Sequence, residues 1–346
     1  MASKFFIRTS GENEELADAE IRAVLESEEI QYKIQKKLPQ VTLLSSVQRS
    51  LKIISQKCSL TKEGGLLLFV CEAKPKEISE KVMDINRSCL GSTQDTFSVR
   101  VRRIQGSSKE IQTEVLEEQI GRLILQKRPD LKVELAKPER QFVGLLTGEE
   151  MVFGLKRIEV RTRDFTSRRP RSKPFFHPSS MSPVLARTMV NLSRCKEGKL
   201  LLDPFCGTGG ILVEAGLTGR RVLGSDVKME MVSGTLQNLI HCGISPEGLT
   251  VSEISHLPFV EVDSIATDAP YGKLSTTLGV QPESVIRRFL NSAAKIIPKG
   301  RYVCLGSRIK IDHKDMAREA GFKIVENLQV REHRSLTRVI SVLRRE

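Results

Sequence analysis

Leu200-Leu201-Leu202-Asp203-Pro204-Phe205-Cys206-Gly207-Thr208-Gly209-Gly210 is the stretch on which the fold turns. Three consecutive leucines read as a buried strand, and Gly210 to Leu217 opens a helix. The glycines between them let the backbone turn tightly and come close to a ligand. A Gly-x-Gly-Gly alone is a weak signal, but its place between a strand and a helix makes it a nucleoside-binding candidate. Outward from this loop, Arg221 to Gly224 is a second strand, followed by a helix from Lys228 to Cys242. Ser264 to Thr267 and Tyr302 to Gly306 are later strands. They are separated by a helix from Val285 to Ile297 that stops at Pro298-Lys299-Gly300. A short helix from His313 to Ala320 precedes Phe322 to Leu328 and Thr337 to Leu343, an antiparallel pair expected at one end of the sheet. Alternating strands and helices imply a mostly parallel α/β sheet.

Asp226 closes the second strand, 17 residues after Gly209. A carboxylate there can accept hydrogen bonds from both ribose hydroxyls of a nucleoside. A dinucleotide fingerprint needs a third glycine, where this chain has Leu212. Asp203 at the head of the loop suits the cationic amino-acid end of S-adenosylmethionine better than a pyrophosphate. The spacing therefore favours S-adenosylmethionine over a nicotinamide cofactor.

Thr267-Asp268-Ala269-Pro270-Tyr271-Gly272 follows the apolar strand Ile265-Ala266. Methylation of an exocyclic amine needs an acceptor for the amine hydrogens and a flat surface for the base. Asp268 can accept from the amine, the carbonyl of Ala269 or Pro270 can accept the second hydrogen, and Tyr271 can stack on an extruded base. The catalytic candidates are Asp268, Pro270 and Tyr271. A strong base is not required, because the amine is acidic once it has been methylated. His177, before Pro178, can touch a ligand or pack between domains, and both readings stand.

The 346 residues carry a net charge of +13, which makes a polyanion such as nucleic acid the leading partner class. Seven cysteines, with no Cys-x-x-Cys pair, argue against a disulfide framework or a metal site. No apolar run approaches a membrane span, and Met1 to Ser10 does not read as a signal peptide, so a cytoplasmic protein is expected. Eight Lys or Arg crowd the stretch from Lys156 to Lys173, interrupted by Pro170, which reads as a basic linker. Before it, strand candidates at Phe5 to Ile7, Leu66 to Cys71 and Asp95 to Arg103 alternate with helix candidates. These helices are Glu12 to Leu25, Ser45 to Ile54 and Ile111 to Leu125. Val133 and Leu135 begin a further strand, and Gln141 to Leu146 with Glu150 to Leu155 form a hairpin around Thr147-Gly148. This is an α+β half, divided near residues 55–60.

The Asp268-Ala269-Pro270-Tyr271 loop resembles the Asp/Asn-Pro-Pro-Tyr loop of class I amino-methyltransferases. More narrowly, the chain resembles the archaeal tRNA guanine-10 N2-methyltransferase family. This match is carried by Lys173-Pro-Phe-Phe-His177-Pro178, by Pro183 to Leu192, by Gly224-Ser-Asp226 with Met231 and Gly234, and by Phe97 to Arg103. The resemblance implies a ferredoxin-like unit over 1–57, a THUMP RNA-binding domain over 58–155, a basic linker over 156–172 and a Rossmann-like methyltransferase domain over 173–346. It also implies a cofactor site of Asp203, Pro204, Phe205, Gly207, Gly209, Asp226, Val227, Glu253 and Asp268, with Glu253 toward adenine. Two positions depart from the family pattern. Ala269 replaces the first proline, and Ser252-Glu253-Ile254 replaces Gly-Asp-Ala. The implied reaction is methyl transfer to the N2 amine of a guanosine in tRNA, at position 10, once or twice. Arg100, Arg102, Arg161, Arg163, Arg168, Arg169 and Arg171 are the expected RNA contacts. A small zinc-binding activator protein is a further expected partner, pairing with the edge of the last hairpin, while Arg331, Arg334 and Arg338 would otherwise guard that edge. The alternatives are an enzyme acting on ribosomal RNA or DNA, and an inactive RNA-binding relative. No Ser-Gly-Gly-x-Asp-Ser motif is present, which excludes a THUMP-bearing thiouridine synthase.

Overall fold

A computed structural model describes residues 3–160, 162–270, 281–308, 313–333 and 336–346. The first stretch of chain forms β1 (Ser3–Thr9), α1 (Glu14–Ser27), β2 (Tyr32–Leu38), β3 (Val41–Ser46), α2 (Arg49–Lys57) and β4 (Thr61–Glu72). Next come α3 (Pro75–Asp84), α4 (Arg87–Leu90), β5 (Thr96–Arg103), α5 (Thr113–Lys127), β6 (Lys132–Val133), β7 (Arg140–Thr147) and β8 (Glu150–Glu159). The remainder begins with α6 (Thr162–Ser167), α7 (Pro183–Leu192), β9 (Leu200–Asp203), α8 (Gly210–Gly216), β10 (Arg221–Asp226), α9 (Met229–His241) and β11 (Gly248–Val251). It ends with β12 (Ser264–Asp268), α10 (Pro282–Ile296), β13 (Tyr302–Arg308), α11 (Lys314–Glu319), β14 (Phe322–His333) and β15 (Leu336–Arg345).

The chain packs as two units, 1–14 with 30–56 and 61–160, and 15–29 with 57–60 and 161–346. In the first unit one sheet runs β2-β3-β1-β4-β8-β7-β5-β6. The expected division near residue 57 is not a break in this sheet, because β4 pairs with β1 on one side and β8 on the other. Helices α3 and α5 bury Ile78, Val82, Leu116, Ile120 and Ile124 against Phe97, Phe142 and Phe153 of the sheet. Phe6, Leu43, Val143 and Val152 form a separate cluster in the same unit. The hairpin around Thr147 is formed as expected. The strand begun by Val133 is only two residues long, and the helix expected from Ser45 starts at Arg49.

The second unit holds a sheet in the order β11-β10-β9-β12-β13-β15-β14. Strands β9 to β13 are parallel, whereas β15 and β14 run antiparallel at the end, as the sequence predicts. This is the Rossmann-like α/β arrangement. Chain direction across the sheet reverses between β9 and β12, and ligands bind outside the carboxyl ends of strands at such a switch point.

Helix α1 is a correction to the expected division, since it packs within the second unit. Its Leu16, Ala17, Ala19 and Ala23 share a buried cluster with Leu185, Met189, Leu212 and Ile340. The small alanines permit close approach, and a buried carboxylate fixes the docking. Glu20 accepts hydrogen bonds from the Ser59 amide (2.9 Å), the Ser59 hydroxyl (2.8 Å), the Leu60 amide (2.9 Å) and Asn191 Nδ2 (2.8 Å). Burial raises the Glu20 pKa, and these donors pull it down. Losing the Leu60 amide, the donor to Oε2, would leave that buried oxygen unsatisfied at a cost of roughly 1–3 kcal/mol, whereas Oε1 is shared by the other three donors.

The basic stretch is more ordered than a linker. It contains α6 and a 3-10 turn over Pro170–Ser172. Among the described residues no helix is long and apolar enough to cross a membrane.

Candidate functional site

The glycine loop after β9 needs two backbone conformations that L side chains rarely adopt, with φ of 51° at Gly207 and 76° at Gly209. The loop is held from α9. Thr235 donates to the Gly207 carbonyl (2.8 Å), and Asn238 Nδ2 donates to the Thr208 carbonyl (2.8 Å). Asn238 also exchanges hydrogen bonds with both backbone groups of Phe175. A Cβ on Gly234 would lie 2.0 Å from the Phe175 ring, so Gly234 gives that ring its seat. The Ser180 hydroxyl lies 3.0 Å from the Thr208 hydroxyl. The segment entering the second unit is thereby tied to the loop and to the helix behind it. Within it, the His177 imidazole meets the Ser179 hydroxyl at 2.7 Å, a local contact.

Asp203 is buried at the end of β9. It accepts from the Thr267 hydroxyl (2.6 Å) and the Phe205 amide (3.2 Å). Burial pushes its carboxyl up to about 7, helped by the charges of Asp268 and Asp226 and opposed by the two hydrogen bonds. Asp226, at the end of β10, accepts from the amides of Gly207 (3.0 Å) and Lys228 (3.0 Å). Burial raises its pKa as well. Pro204 is buried, Phe205 is tilted against Phe289 at 5.8 Å, and Val227 is exposed. Glu253 lies just past β11, beside the end of β10, where the Ser252 amide donates to the Asp226 carbonyl. Its own carboxylate is turned to Arg288 at 2.6 Å.

Asp268 ends β12, next to β9, with its partner Gly306 on β13. Its carboxylate is gripped by Arg338 of β15, with Nε 3.1 and 3.2 Å from the two oxygens and Nη2 2.9 Å from Oδ2. The sequence reading missed this partner and set Arg338 on the strand edge; it is instead 5% exposed, inside the sheet. Ala269 is buried and donates its amide to the Gly306 carbonyl (3.0 Å), and Pro270 is half-buried. Tyr271 lies outside the described residues, as does Arg334.

The arginines expected at RNA divide into several groups. Arg168 also has a partner within the protein: its guanidinium pairs with the buried Glu214 (2.8 Å) and lies over Phe165. Arg187 joins the same carboxylate at 2.7 Å. A buried carboxylate demands such cations, and Arg168 answers it while staying partly exposed. Arg100 pairs with Glu117 and Arg102 with Glu63, both at 3.3 Å and both partly exposed. Arg169 and Arg171 are exposed, the latter near the Phe176 ring. Arg161 lies outside the described residues, and so does the side chain of Arg163. Among the described residues no group of three or more His, Cys, Asp or Glu could hold a metal ion.

Comparison with known proteins adds four findings. The RMKL-like methyltransferase domain family matches residues 170–339. The chain is 35% identical over 343 residues to the tRNA (guanine(10)-N2)-dimethyltransferase of Methanothermobacter thermautotrophicus, covering 99% of both chains. It is 30% identical over 345 residues to the protein of the same name from Pyrococcus abyssi, covering 98% of this chain and 99% of that one. The crystal structure of TrmN from Thermus thermophilus superposes with a TM-score of 0.55 at 19% identity, covering 99% and 100% of the two chains, which is a likeness of fold.

Proposed function

Since the chain belongs to the family of tRNA (guanine(10)-N2)-dimethyltransferases, we propose that it methylates the exocyclic N2 amine of guanosine 10 in tRNA, working in the cytoplasm. The methyl donor is S-adenosylmethionine, which supplies an electrophilic methyl group on a sulfonium. The observation that carries the reading is the placement of two aspartates, Asp203 and Asp268, at the carboxyl ends of the neighbouring parallel strands β9 and β12.

The residues present fit such a donor. Asp203 is a buried carboxylate with no cation within ion-pair distance among the described residues, so a cationic amino-acid end would satisfy it. The Asp226 oxygens each accept a backbone amide and retain lone pairs for ribose hydroxyls. Gly207 and Gly209 keep side chains out of the loop that would face the nucleoside. Asp268 would accept one hydrogen of the guanine N2 amine and the Ala269 carbonyl the other, aiming the nitrogen lone pair at the methyl group. As the nitrogen gains positive charge, the Asp268 carboxylate stabilises it, and the released proton can pass to water. Tyr271 would stack on the base.

The THUMP-like span 58–155, most of it in the first unit, would bind the tRNA together with Arg169 and Arg171. A small zinc-binding activator pairing with β14, the terminal strand of the sheet, remains part of the proposal. The decisive experiment is methyl incorporation into an unmodified tRNA transcript, followed by nucleoside analysis. N2-methyl- and N2,N2-dimethylguanosine at position 10 support the reading. Label in another base, or only in ribosomal RNA, refutes it.

A further inference from the structure

Arg338 carries a charge on an inward face. In β15 it shares the alternation of Ile340 and Val342, both fully buried, and it is itself 5% exposed. A buried guanidinium is costly unless paired, and a fork that meets both oxygens of a carboxylate fixes its plane as well as its charge. The register brings the parts together. Asp268 lies opposite Gly306, Gly306 lies opposite Ile340, and Arg338 is two residues before Ile340 on the same face. A Cβ on Gly306 would stand 2.5 Å from Asp268 Oδ1. Any side chain at 306 would therefore displace the carboxylate, although the φ of Gly306 is not among the positive ones.

We propose that Arg338 is a positioning residue for the methylation reaction, holding the Asp268 carboxylate in one orientation, with Gly306 providing the room it occupies. This rests on the reading of Asp268 as acceptor for the substrate amine. Two carboxylate oxygens offer about four lone-pair sites. The guanidinium holds both oxygens from its own side, so the acceptor direction presented to the amine is set before substrate arrives. The ion pair offsets only part of the carboxylate's charge, which leaves Asp268 a fixed acceptor that still favours positive charge on the amine.

The test uses the full-length chain with a tRNA transcript at saturating S-adenosylmethionine. The variants are Arg338→Gln, Arg338→Lys, Gly306→Ala and Asp268→Ala. Misplacing a reacting group by about 1 Å costs up to roughly a hundredfold. Arg338→Gln and Gly306→Ala should each lower kcat by roughly 10- to 100-fold, while KM for tRNA and cofactor affinity stay within about threefold. Arg338→Lys, which keeps the charge and loses the fork, should recover part of kcat, and it replaces the Gln variant as the readout if that variant does not fold. The proposal is overturned if Gly306→Ala and Arg338→Lys turn over at the parent rate while Asp268→Ala is inactive. It is equally overturned if kcat, cofactor affinity and unfolding midpoint fall in parallel, as for a purely structural ion pair. Turnover retained in Asp268→Ala removes the acceptor reading and this proposal with it.

Discussion

Asp203 and Asp268 close adjacent strands of one sheet, yet their surroundings are opposite. Asp203 is buried against a hydroxyl and an amide, and burial holds its carboxyl at about 7. Asp268 is clasped by a guanidinium. An unpaired buried carboxylate is a site waiting for a cation. A paired one has part of its charge offset and offers lone pairs in a fixed direction. The contrast matches the two halves of a methyl transfer, in which one partner is a cationic donor and the other a neutral amine.

The largest effect should come from breaking the Asp268 side of this contrast. Asp268→Ala should lower turnover on tRNA by about 10²–10³-fold, read as initial rates of methyl incorporation. Next in size is the proposed ribose contact. Asp226→Ala removes charge-assisted hydrogen bonds worth roughly 1.5–3 kcal/mol each, so S-adenosylmethionine affinity should fall at least about tenfold by calorimetry. Unchanged affinity would mean that the ribose lies elsewhere.

The Asp203 side has a signature in pH. Its folded pKa is raised, so the folded protein holds a proton there that the unfolded chain releases near the usual value of 3.8. That contribution favours the folded state at low pH and is lost as pH rises toward about 7. On the proposed reading, cofactor binding requires the anion and runs the other way. Affinity should climb with pH up to about 7, by at most about tenfold per unit, and then level off. In Asp203→Asn that climb should be absent.

The linker arginines offer a smaller effect. Arg169→Ala and Arg171→Ala should each reduce the salt dependence of tRNA binding by roughly 0.7–0.9 in log–log slope. Arg168→Ala should leave that slope alone and lower the unfolding midpoint instead, because it breaks the pair with Glu214. The reverse pattern would return Arg168 to the RNA.

Much of this was legible in the sequence because the signals are local. The loop from Asp203 to Gly210 and the strand ending at Asp226 depend on residues within one turn of each other, and the parallel strands follow from apolar runs. What was missed is mostly non-local. Arg338 reaches Asp268 across 70 positions of sequence, and the charges around it read as a solvated edge. The signal was present in period two: Arg338 falls on the face of Ile340 and Val342, where a charge needs a partner. Helix α1 was assigned by adjacency in sequence, although its run of alanines and its buried Glu20 fit another unit. Strands β2 and β3 were passed over, since β2 is rich in lysine and largely exposed, and so gives no apolar signal. Strand β11 and helix α3 were passed over as well.

The most direct measurement compares S-adenosylmethionine affinity in Asp203→Asn and Asp268→Ala side by side, by calorimetry at pH 8. The account predicts a loss of at least about tenfold for Asp203→Asn and a change within about threefold for Asp268→Ala. Equal losses in both variants, or a larger loss for Asp268→Ala, would contradict the division of labour between the two aspartates.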